Sequence, residues 1–127
     1  MTYSISVKPE ALMVMDPRTL IEFFEKEVNL SVPDSIDTPE ERKKAIETMN
    51  LAAGYVCYFK SMEITARALK REAKAKKAKD DAEHYLGCEE VFHLYAEVSE
   101  KMYDSVIRMM TMKKIEQEED KKTSRTV

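Results

Sequence analysis

The chain has 127 residues, 35% charged and 43% hydrophobic, with a formal net charge of −3, two glycines and two cysteines. One domain is the simplest arrangement at this length, and so much charge is typical of long helices with wide solvated faces. No apolar run reaches membrane-spanning length, no secretory signal pattern stands at the start, and the cysteines form no CxxC pair, which argues against a membrane span, a disulfide framework and a zinc site and for reduced thiols in a cytoplasmic protein.

Residues 1–15 carry the only strand character. Tyr3, Ile5 and Val7 alternate with polar residues, so an extended arm is expected, with Leu12–Met15 docked on the body or on another subunit. Asp16-Pro17 opens a short helix over 16–29, with Leu20, Ile21, Phe23, Phe24 and Val28 on a broad apolar face. Thr38-Pro39-Glu40-Glu41 is a stronger start. Thr38 is the N-cap, Pro39 the first helical residue, and Glu41 stands at the capping-box position.

From Pro39 nothing stops the helix before Gly87, where glycine suits a left-handed C-terminal cap. Asp80-Asp81 is the alternative break, since aspartate favours caps over helix interiors. We take Gly87, giving a helix over 39–86 and a second over 89–119, with a disordered tail over 121–127. On the first helix the expected inner face is Ile46, Met49, Ala53, Val56, Cys57 and Ile64, followed by alanines. On the second it is a stripe from Val91 through Leu94, Tyr95, Val98, Met102 and Val106 to Met112. The fold class expected is all-α: a long antiparallel helical hairpin with a short N-terminal helix and an extended arm. A lone hairpin of this length is too thin for a full core, so homo-oligomerisation through the apolar helix faces is expected as well.

Charge is distributed unevenly. Between Arg67 and Lys79 stand seven basic residues and one acidic one, while the rest of the chain holds 14 basic and 23 acidic. Arg67, Lys70, Arg71, Lys74 and Lys77 line up on a helix, and Lys76 and Lys79 broaden the stripe. Gathered like charges repel unless an anion offsets them, and a nucleic-acid backbone is the usual polyanion. Tyr55, Tyr58 and Phe59 lie two to three turns earlier, and any exposed ring there offers a stacking surface for single-strand bases. Tyr58 is the one assigned to the interface. The bland alternative is a solvated face or one paired with the acidic remainder of the chain, with the aromatics in the core. Signatures of duplex readout such as a helix-turn-helix, zinc finger or basic zipper are absent.

A second cluster is metal-like. Asp81 and His84, and Glu90 and His93, are carboxylate-x-x-His steps flanking Gly87, with Glu63 as a lone further carboxylate. Di-iron bundles use two such steps on facing helices plus two more carboxylates. The bland reading, an acidic polar turn, is the one adopted, with no metal and no cofactor. Cys57 and Cys88 have no placed His–Asp partner, and there is no glycine-rich phosphate loop, so no enzymatic activity is expected.

Residues 49–87 resemble the central region of the phage recombination mediator proteins of the UvsY type. The shared features are an aromatic-rich helical start (Tyr55, Tyr58), a Lys/Arg/Ala/Glu helix, and a closing tyrosine and glycine (Tyr85, Gly87). The resemblance implies a small helical protein that forms rings, binds single-stranded DNA, helps displace the single-strand-binding protein and promotes loading of a RecA-like recombinase. It places Lys70, Arg71, Lys74, Lys76 and Lys77 in the matching basic helix. The expected function is therefore non-enzymatic single-stranded nucleic-acid binding. The alternative is a helical protein–protein interaction module, or a phage inhibitor of a host nucleic-acid-binding protein whose acidic surface mimics phosphate.

Overall fold

The computed structural model describes Ile5 and residues 7–125, with side chains to residue 122. Among the described residues all regular structure is helical, and four helices follow in order: α1 (Pro9–Met13), α2 (Pro17–Glu27), α3 (Pro39–Ala75) and α4 (Lys79–Arg125). The two long helices pack on each other as a helical hairpin, and α2 lies against α4. Tyr3, the first position of the expected strand alternation, lies outside the described residues. The described part of the expected arm is partly helical: Pro9 starts a single turn that buries Leu12 and Met13, and Ile5 is buried beside them.

Starts follow local chemistry. Glu41 N–H donates to Thr38 Oγ1 at 3.1 Å and Thr38 N–H donates to Glu41 Oε1 at 3.2 Å, the reciprocal capping box. Ser35 Oγ also donates to Glu41, which ties the preceding loop to this cap. Stops do not follow the local expectation. α3 ends at Ala75, and Lys77 takes the left-handed conformation with φ of 60°. Ala78 N–H donates to Ala73 O at 2.9 Å and Lys77 N–H to Lys74 O at 3.1 Å, the double closure of a Schellman cap built on a lysine where glycine is usual.

Gly87 lies inside α4 and has no positive φ. Its missing side chain serves packing instead. A Cβ there would stand 2.5 Å from Pro17 Cγ, so glycine lets the start of α2 close on α4. The magnitudes decide between the two turns. A left-handed lysine costs about 1–2 kcal/mol, whereas each large apolar side chain buried is worth about 1.5–3 kcal/mol. Turning at Lys76–Ala78 brings Phe92, Val91, Cys88 and Ala96 of α4 into one core with Tyr55, Tyr58, Phe59 and Met62 of α3. A turn at Gly87 faces the start of α4 with alanines.

Phe24 of α2 plugs this core, with its ring centroid 5.0 Å from Phe59, 5.1 Å from Tyr95 and 5.8 Å from Phe92. Tyr55 and Tyr95 hydroxyls donate to the Glu27 and Ile21 carbonyls, fastening α2 to both long helices. The inner line of α3 is thus aromatic. The aliphatic line expected there points outward, with Ile46 43% and Ile64 63% exposed. On α4, Val91 and Val106 are buried as expected and Leu94 and Met112 are exposed. The buried Phe92, Ala96 and Ser99 are additions that the expected stripe passes over. A second small cluster of Ile36, Ala45 and Val106 closes the open end of the hairpin. α4 runs on through residue 125 and takes in most of the segment expected to be a disordered tail. That stretch opens on Lys121 and Lys122, directly after the Glu-rich run at Glu116, Glu118 and Glu119; lysine and glutamate are good helix formers, and no glycine or proline interrupts them. Among the described residues no helix is long and apolar enough to cross a membrane.

Candidate nucleic-acid interface

The position of the turn divides the basic segment in two. Arg67 and Lys70 lie on the seam between α3 and α4 and face Glu89. Arg67 Nε donates to Glu89 Oε2 at 2.9 Å and Lys70 Nζ to Glu89 Oε1 at 2.6 Å. Arg67 also donates to Glu63 at 3.0 Å, and Glu63 meets His93 Nδ1 at 3.1 Å, whose Nε2 stands 3.1 Å from Glu97. Charges of alternating sign thus run across the seam. Glu63 and Glu89 are each only 14% exposed, so their desolvation is offset by these pairs. The Lys70 ammonium, and after it the Arg67 guanidinium, hold the Glu89 carboxyl below its usual value, against a partial opposing effect of burial.

This register exists because the turn is at Lys76–Ala78. With the turn at Gly87, Glu89 would sit at the bend, about 20 residues and roughly 30 Å from Arg67. The same register brings Glu63 to His93, a pairing that linear spacing hides.

The other five basic residues gather at the closed tip of the hairpin. Arg71, Lys74, Lys76, Lys77 and Lys79 are all exposed. Lys76 pairs with Glu72 at 2.9 Å. Among the described residues, Arg71, Lys74, Lys77 and Lys79 have no carboxylate partner within salt-bridge distance. Lys74, Lys77 and Lys79 border a shallow cleft of about 420 Å³ with Ala82 and Glu83. The left-handed turn at Lys77 fans these side chains around the tip and ends the straight stripe expected from the spacing.

Tyr58 does not join this surface. It is 8% exposed, edge-on to Phe59 with centroids 5.4 Å apart, and a base cannot reach its ring in this structure. Tyr55 and Phe59 are buried with it. Both rings went to the core because α2 covers that face of α3.

The metal-like residues are dispersed. His84 Nε2 donates to the Met13 carbonyl and so docks the end of α1 on α4, while His93 sits between Glu63 and Glu97. Among the described residues no group of three or more His, Cys, Asp and Glu side chains stands close enough to hold a metal ion. Cys88 is fully buried, with Sγ 3.7 Å from His84 Nε2 and 3.9 Å from the Met15 carbonyl. Burial, and then the nearby Asp16 charge, push its thiol up to about 11, which leaves little nucleophilic thiolate at neutral pH. Cys57 is exposed on α3.

The chain matches no protein-family model, no curated protein and no solved structure.

Proposed function

We propose that this is a non-enzymatic protein that binds single-stranded nucleic acid through the tip of its hairpin, self-associating so that several weak tips act together. The observation that carries the reading is the tip itself: four exposed cations that have no carboxylate partner among the described residues, within nine residues of an otherwise acidic chain. Backbone phosphates offset that repulsion and release counterions. In this reading Arg71, Lys74, Lys77 and Lys79 make the phosphate contacts, Lys76 contributes once released from Glu72, and Arg67 and Lys70 hold the hairpin together.

The resemblance to UvsY-type mediators extends the proposal to a cytoplasmic recombination mediator in a phage or mobile element. Its partners would be a RecA-like recombinase and a single-strand-binding protein, and the two long helices would form an antiparallel pair within a homo-oligomer.

Fluorescence anisotropy with a labelled single-stranded oligonucleotide, titrated at low and moderate salt, tests the binding. Affinity that falls steeply with salt supports it, and no binding at low salt overturns it. A second reading, a protein–protein interaction module, is favoured by the exposed Ile46, Ile64, Leu94 and Met112. It predicts that the oligonucleotide is not retained and that a protein partner still binds after neutralisation of the tip.

A further inference from the structure

Tyr55, Met62, Ala66 and Ala73 form a buried line on α3. Ile46, Ala53, Cys57 and Ile64 repeat the same seven-four-seven spacing nine residues earlier. Nine residues are about two and a half turns, so this second line runs along the opposite side of the helix. Ile46, Cys57 and Ile64 are exposed. A helix that is apolar along two opposite lines is one covered on both sides.

Beside the second line, two shallow grooves of about 300 and 360 Å³ follow the seam of the hairpin and meet at Glu100. Their α3 rim carries Lys60, Glu63 and Arg67, and their α4 rim carries His93, Glu97, Glu100 and Asp104. Glu63 is only 14% exposed and is engaged by Arg67 and His93, so the charge the α3 rim presents outward is basic, chiefly Lys60, and that of the α4 rim is acidic. Lys60 and Glu100 meet within the chain at only 3.6 Å, and both are more than half exposed, so each can still engage a second partner of opposite charge.

We propose that this seam face packs on the same face of a second copy of the chain, with the α3 of each copy lying over the α4 of the other, to make a four-helix bundle. Charge complementarity selects both the occupant and the arrangement. A two-fold axis along the helices sets each basic rim over an acidic one, whereas α3 over α3 sets basic against basic. The size is sufficient. Two helices about 10 Å wide along the part of α3 from Pro39 to Arg67, short of the tip, present roughly 900 Å², against about 800 Å² per partner in a standard stable interface. This arrangement places both Lys77 tips at the same end, doubling the basic surface. The inference deepens the self-association in the proposed function and rests on it, but it does not require that the tips bind nucleic acid.

The test is the mass of the full chain by light scattering without nucleic acid, so that its outcome is separate from the anisotropy experiment. Wild type is expected at two chains, and Ile64→Glu at one chain with its helical circular dichroism retained. Lys60→Glu and Glu100→Lys are each expected to stay at one chain, because each sets like charges across the bundle. Mixed together they are expected to return to two chains, since every contact between the copies is then restored while the pair inside each chain remains broken. Wild type at one chain up to its solubility limit overturns the inference, as does a mixture that stays at one chain.

Discussion

Arg67 and Lys70, and Arg71 through Lys79, are neighbours in one basic segment, and the hairpin treats them in opposite ways. The first pair stands where two helices run side by side and is taken up by Glu89 and Glu63. The later group stands where the chain turns, and among the described residues its one ion pair is that of Lys76 with Glu72. Helix spacing makes all seven cations equivalent. What separates them is whether another helix lies opposite, and this divides the segment into cations that build the fold and cations free to meet a ligand.

The most demanding trial of that division is a pair of variants. With Arg71, Lys74, Lys77 and Lys79 changed to glutamine, the four proposed phosphate contacts are removed. The log–log salt slope should then fall by about 3 and single-strand affinity by about 100-fold, with the thermal midpoint nearly unchanged. With Arg67 and Lys70 changed to glutamine, the order reverses: stability falls and the salt slope keeps most of its value. Equal loss of affinity in both variants breaks the comparison.

Next in size is the close approach of α2 to Gly87, which places that residue inside α4. Gly87→Val forces a side chain into Pro17 and is expected to cost about 2 kcal/mol in denaturant unfolding. At an open helical position the same change should stabilise, because glycine is the poorer helix former. A more stable variant would remove the close approach of Pro17 to Gly87.

The seam network gives a pH signature. The Glu89 carboxyl is held below its usual value of 4.5 in the folded chain. The unfolded state therefore binds the proton more readily, so the stabilisation is complete above 4.5 and is lost as pH falls through the lower folded value. Melting midpoints of Glu89→Gln should be lower than wild type near neutrality and should converge on it in acid. Parallel curves would remove Glu89 from the network.

The smallest effect is at the tip. Lys77→Gly relieves a left-handed lysine and should add about 1 kcal/mol of stability while removing one of the proposed phosphate contacts. Unchanged stability would contradict the left-handed cap.

The sequence by itself determined the elements that depend on a turn or two of chain. The helical class, the Thr38–Glu41 capping box, the Pro17 start of α2 and the apolar face of Leu20 and Phe24 were all legible, because caps and periodicity act locally. The basic segment was legible as a concentration of charge. Only the tertiary structure decided where α3 stops, which of its two apolar lines faces inward, and which cations remain available. Gly87 carries the strongest local stop signal, yet the chain turns ten residues earlier at a lysine. Burying the aromatic line under Phe24 outweighs the preference of one cap. That burial sums contacts between residues far apart in sequence, and no local signal contains them. Tyr58 entered the core and Arg67 the seam for the same reason: a side chain's partners depend on the register of the helix opposite, and that register exists only once the chain has turned.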